Sequence, residues 1–154
     1  MSILVLALLI GVIAGLRAVT APAVVSWAAR LGWINLSGSH LAFLGYAATP
    51  YIFSVLALGE IINDKLPATP SRKIPPQFIT RIISGAFSGA ALGLSQLSLI
   101  GGLLLGAIGA VVGTLAGAEV RARLAKAFGN DLPAALLEDF VAVVGGLFIV
   151  HLAI

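Results

Sequence analysis

The sequence predicts an all-α integral membrane protein of about five transmembrane helices, packed as a glycine-rich bundle whose first two helices are broken by proline. Three observations lead there. Of 154 residues, 60% are hydrophobic and 10% are charged, with a mean hydropathy of +1.11; a soluble domain is about 25% charged. Uncharged runs extend over Ile3–Leu16, Leu41–Gly59 and Ile82–Ala118, and about twenty helical residues cross a hydrocarbon core. Glycines recur every fourth residue at Gly85, Gly89 and Gly93, again at Gly109, Gly113 and Gly117 after Gly102 and Gly106, and at Gly11 and Gly15. Residues four apart share a helix face, so each series makes a smooth stripe that lets a second backbone approach.

Taken in order, helix one is expected over 3–19, continuing after a break near Pro22 as 23–31. Only Met1 and Ser2 precede it, so it lacks the basic start of a signal peptide and reads as a retained span. The piece after Pro22 either lies along the surface as an amphipathic segment or is a loop with a helical turn. Helix two is expected over 41–63, with Pro50 in mid-span freeing the carbonyl of Tyr46. Helices three and four, 78–94 and 99–118, flank the polar turn Ser95-Gln96-Leu97-Ser98, and helix five covers 134–152. Together they are expected to form one polytopic domain, 1–154.

Basic residues orient such a chain, because they gather on the cytoplasmic side. Lys65, Arg72, Lys73, Arg81, Arg121, Arg123 and Lys126 fall on one side of the five-span arrangement and only Arg30 on the other. The N-terminus is then expected in the cytoplasm and the C-terminus outside, with Trp27, Trp33 and Tyr46 near the outer interface.

The charge is concentrated. The segment GEIINDKLPATPSRKIPP, Gly59 to Pro76, holds Glu60, Asp64, Lys65, Arg72 and Lys73 together with four of the seven prolines. Glu60, Asn63 and Asp64 share one helix face. Arg81 opens helix three, and Glu138 and Asp139 lie near the start of helix five, so all are expected at one membrane depth. Two readings stay open. One is a salt-bridged lock in which Arg81 or Arg72 pairs Glu60 or Glu138. The other is a polar vestibule for a cation, a proton or an anionic head group. Carboxylates beside an amide suit a hard cation such as magnesium, but the spacing matches no dedicated motif and leaves a metal undecided.

Prolines 67, 70, 75 and 76 stiffen the loop and are expected to hold Arg72 and Lys73 at the lipid head groups. Arg17 has apolar residues on both sides and must snorkel, pair or line water. Counted along a continuous helix one, it lies toward the outer surface, in contact with lipid phosphates or with an anion or substrate.

Enzyme signatures are missing: no HExxH, no GxSxG and no P-loop occurs, and His40 and His151 are isolated. Absence of cysteine excludes disulfides and thiolate metal sites. No catalytic residue, no cofactor and no nucleic-acid partner is expected.

Gly15-Leu16-Arg17, Glu60 with Asn63-Asp64-Lys65, Pro70-Ser71-Arg72, Arg81 with Gly85 and Gly89, and Glu138-Asp139 together resemble a small bacterial integral-membrane family, domain of unknown function 4126, over nearly the whole chain. The resemblance implies a place in the bacterial cytoplasmic (inner) membrane and brings no catalytic residues. The expectation is a homo-oligomeric channel or transporter for an ion or small solute. The alternatives are a non-catalytic scaffold or lipid-binding subunit, and a lipid-modifying enzyme.

Overall fold

The computed structural model describes residues 1–66 and 71–154. Among them there are helices and no strands: α1 Ile3–Leu16, α2 Thr20–Arg30, a 3₁₀ turn Ala42–Gly45, α3 Thr49–Asn63, α4 Pro75–Leu94, α5 Leu99–Phe128 and α6 Asp131–His151. Pro67 and Pro70, and with them part of the expected stiff loop, lie outside the described residues.

Two helices, α5 and α6, are long and apolar enough to cross a membrane; α1 and α3 are shorter apolar helices. The long α5 is central, packed against α1 and α4, which also pack on each other; α6 covers α5, α1 and α2, and α3 packs on α2 at the periphery. Glycines lie at both central contacts. A Cβ placed on Gly85 would stand 2.5 Å from the Gly106 carbonyl oxygen and 2.6 Å from the Ala110 Cβ; on Gly15 it would stand 2.5 Å from the Thr114 nitrogen. Gly106 is pressed from two directions, by Gly11 of α1 and by Gly85 and Gly89 of α4. Gly129, left-handed at φ 69°, ends α5, the position where glycine carries no Cβ penalty.

The first two elements differ from expectation. Instead of running on through Pro22, the chain turns back at Arg17–Val19, so the expected span 3–19 with a continuation over 23–31 is corrected to an antiparallel hairpin. The side chains of Ile13 and Val24, on either side of the bend, both face Gly146. Farther along, the Trp33 ring meets His151 at 5.4 Å. α3 returns alongside α2, with Trp27 Nε1 donating to Ser54 Oγ at 2.9 Å and Glu60 reaching Val19. Neither proline sits in the middle of a helix. Pro22 and Pro50 stand in the first turns of α2 and α3, where a missing N–H removes no helical bond.

Successive helices therefore alternate in direction. The C-terminal ends of α1, α3 and α5 meet the N-terminal ends of α2, α4 and α6 at one end of the bundle, and Ile3 and His151 lie at the other. The chain termini share an end, and the N-terminus is opposite the basic loops rather than beside them.

Candidate functional site

The end of the bundle where the chain turns back is where the charges meet. The bend itself is stitched by side chains from three other helices. Leaving α1, the carbonyls of Gly15 and Leu16 have no helical donor, and Arg81 Nη1 of α4 donates to both at 2.9 Å. Thr114 Oγ1 of α5 also reaches Gly15 O at 3.4 Å, and Ser84 Oγ donates to the Ala18 carbonyl. Entering α2, the N–H groups of Ala18 and Val19 donate to the Glu60 carboxylate of α3 at 2.7 and 2.8 Å. An arginine at a helix C-terminus and a carboxylate at a helix N-terminus are the signs that the helix dipoles favour. Glu60 and Arg81 face each other at 3.8 Å.

Arg17 is fully buried at the centre. Its Nε donates to Asp139 Oδ1 at 2.6 Å, and its Nη2 forms ion pairs with Asp139 Oδ1 at 2.5 Å and Asp64 Oδ2 at 2.9 Å, outside hydrogen-bond alignment. The expected lipid or anion contact at the outer surface is thereby corrected: α1 ends at this residue among the carboxylates of α6 and the end of α3, and these enclose the guanidinium away from lipid. Arg72, expected at the head groups, is also largely buried. It grips Glu138 with both guanidinium arms, Nη2 to Oε2 at 2.9 Å. Lys65 pairs Asp139 and donates to Ile61 O at 3.1 Å. Of the two basic loop residues, only Lys73 is exposed.

Arg121, expected only to mark the cytoplasmic side, links the network. It donates to Asp64 at 2.5 Å, to Glu138 at 3.2 Å and, bidentately, to Asp131 at 3.0 and 2.7 Å. A fork on a carboxylate is the strong form of this contact. Burial pushes the Asp64 carboxyl up, but the hydrogen bonds and charges of Arg17 and Arg121 outweigh it and hold the group down at about 2.

A sequence signal for Arg121 existed. It continues the four-residue series Gly109, Gly113, Gly117, just as Arg81 begins the series Gly85, Gly89, Gly93. A face that packs inward along its length carries its terminal residue inward as well. Nothing comparable marks Lys65 or Asp131.

A cavity of about 470 Å³ opens on this network, lined by Glu60, Asn63, Asp64, Arg72, Arg81 and Arg121 among others. The expected site residues Glu60, Asn63, Asp64, Arg81 and Arg72 thus share one polar hollow, whereas Glu138 and Asp139 stand behind it. Among the described residues no group of three His, Cys, Asp or Glu side chains is placed to hold a metal ion; the carboxylates meet arginine, lysine or backbone N–H groups instead. Around the bundle the outward faces are apolar: Ile52, Val55 and Leu56 on α3, Leu104, Ile108 and Val112 on α5, and Phe140, Val144 and Phe148 on α6 are all exposed.

The pattern of one family runs through residues 4–154, described as Domain of unknown function (DUF4126). The chain belongs to this family. No curated protein and no solved structure matches it.

Proposed function

We propose that this member of the family is a multi-pass protein of the bacterial inner membrane, and that its charged end is a one-sided vestibule admitting a small polar solute or ion to the backbone break at Arg17. The exposed apolar belt supports the membrane placement, since a soluble monomer rarely leaves contiguous apolar patches of more than a few hundred Å² in water. α4, α5 and α6, of 20, 30 and 21 residues, have the length of spans. Here α1, α2 and α3 replace the first two of the five expected spans with a shorter, bent set. Lys65, Arg72, Lys73, Arg121, Arg123 and Lys126 gather at the vestibule end, which by the positive-inside rule supports a cytoplasmic side for that end and an outer side for both termini.

The observation that carries the reading is the 470 Å³ polar cavity lined by Glu60 and Arg81, the two side chains that hold the helix break. Transporters place binding sites where helices are interrupted, because freed backbone groups and helix ends face the solute there. The glycine contacts leave the interior of one subunit narrow, so a complete path calls for a homodimer or larger symmetric assembly around the same single domain. Flux of ions and small solutes in proteoliposomes tests this. Movement above empty vesicles, reduced by Arg72→Gln, is expected. No movement, with Glu138→Gln changing stability alone, would leave the second reading, a non-catalytic scaffold. That reading is favoured by the way each buried carboxylate is already engaged by a cation or backbone N–H.

A further inference from the structure

Beside the polar cavity lies a hollow of opposite character. It is an apolar groove of about 250 Å³ between α1, α5 and α6, walled by Val12, Leu16, Ala116, Val120, Leu137 and Val141. Its polar end is formed by Arg121 and Glu138. Arg121 lines both spaces. Between them stands the Arg72–Glu138 pair, close over Gly117, where an added Cβ would lie 3.4 Å from Arg72 Nη1 and 3.6 Å from Glu138 Oε1. The groove follows α5 from Val112 to Leu124, about 18 Å at the helical rise.

We infer that the two hollows form one site for an anionic lipid, with the acyl chain along the α1/α5/α6 groove and the phosphate head at Arg121 in the polar cavity. This rests on the membrane placement proposed above and not on transport. A polar and an apolar space that meet at one guanidinium match the two ends of an amphiphile. The ion network itself is balanced, Arg17, Lys65, Arg72, Arg81 and Arg121 against Glu60, Asp64, Asp131, Glu138 and Asp139, so a phosphate at Arg121 takes the place of the exposed Asp131, and the charge preference comes from outside the network. Exposed Lys73 and Lys126 add positive charge at the same end. Guanidinium groups in a fork suit phosphate oxygens. A groove open to hydrocarbon does not stay empty, because lining atoms without neighbours forfeit their dispersion contacts. A helix from a second copy would fill the apolar groove but leave the adjoining polar cavity, and exposed Lys73 and Lys126 beside it, without an occupant.

The purified protein in mild detergent is titrated with phosphatidylglycerol, phosphatidylcholine or inorganic phosphate, and bound species are read by native mass spectrometry. Phosphatidylglycerol is expected to bind at least tenfold tighter than phosphatidylcholine, and inorganic phosphate not to compete at millimolar concentration. Ala116→Phe, at an exposed groove position, is expected to weaken phosphatidylglycerol binding tenfold or more with an unchanged thermal midpoint. Arg121→Lys is expected to narrow the preference between the two lipids. Equal binding of both lipids, or binding untouched by Ala116→Phe, overturns the site. So does inorganic phosphate binding as tightly as the lipid, which would make the groove irrelevant. A dimer that Ala116→Phe dissociates, with lipid binding unaltered, overturns it in favour of a second copy. Lipid binding without solute flux would sink the transport reading alone. A protein that stays monodisperse without detergent or lipid would sink the membrane placement.

Discussion

Replacing Glu60 tests the stitched bend directly. Its carboxylate accepts the N–H groups of Ala18 and Val19 at 2.7 and 2.8 Å and stands 3.8 Å from Arg81. In Glu60→Gln one oxygen remains as acceptor, while the new amide NH₂ faces a backbone N–H, donor against donor. A buried donor without its partner costs about 1–3 kcal/mol, and Arg81 loses part of its neutralising charge. Together these give a loss of about 2–3 kcal/mol for Glu60→Gln, and about 3–5 kcal/mol for Glu60→Ala, where both N–H groups are orphaned. Unfolding in mixed micelles with increasing dodecyl sulfate measures it. Fluorescence provides the signal, because Trp27 bridges α2 to Ser54 of α3 and is exposed when the hairpin opens. Glu119→Gln is the control, an exposed partner of Arg123 one helical turn away, and should leave the midpoint unchanged. If Glu60→Gln unfolds together with this control, the carboxylate does not hold the bend and the account of α1–α2 is wrong.

Other outcomes follow from the same contacts. Gly85→Ala meets Gly106 O and the Ala110 Cβ at 2.5 and 2.6 Å and should cost about 1–3 kcal/mol in the same assay, whereas Gly59→Ala meets nothing within 4 Å and should be neutral or stabilising by up to about 1 kcal/mol. Arg17→Gln leaves Asp139 and Asp64 short of a buried cation, and a loss of about 3–5 kcal/mol, seen as a collapsed thermal midpoint in detergent, is expected. Acid should weaken the fold. Asp64 titrates near 2 in the folded protein against an ordinary 3.8, so its contribution is complete above about pH 4 and disappears as pH falls toward 2. Arg121→Gln should flatten that part of the stability–pH curve.

Local pattern and distant contact divided what the sequence revealed. The four-residue glycine series is a property of one helix face, readable without knowing the neighbour, and those faces do stand at the α1/α5 and α4/α5 contacts. Likewise the observed starts of α4 and α6 lie within a few residues of the expected 78 and 134; Pro75 and Pro76 stand in the first turn of α4, and the structure adds Asn130 as the cap of α6. The reversal at Arg17 was not legible. Its stabilising groups come from Glu60, Arg81, Ser84 and Thr114, far along the chain, and Pro22 drew the break to the wrong place because proline is as acceptable in a first helical turn as at a kink. Once the chain is read as turning there, Arg17 changes from a residue facing lipid into the centre of an ion network. Pairing of Arg72 with Glu138 was among the anticipated locks. The multiple bonds of Arg121 were not, although its register with Gly117 pointed inward.

The bend between α1 and α2 also sets an order of synthesis. Its open carbonyls and N–H groups acquire partners only when residue 60, then 81 and 84, and finally 114 have left the ribosome. Until then the bend between α1 and α2 leaves a bare arginine and unpaired backbone groups at its tip. With the membrane placement proposed above, a chain truncated before α4 is expected to stay at the membrane surface rather than fold in part.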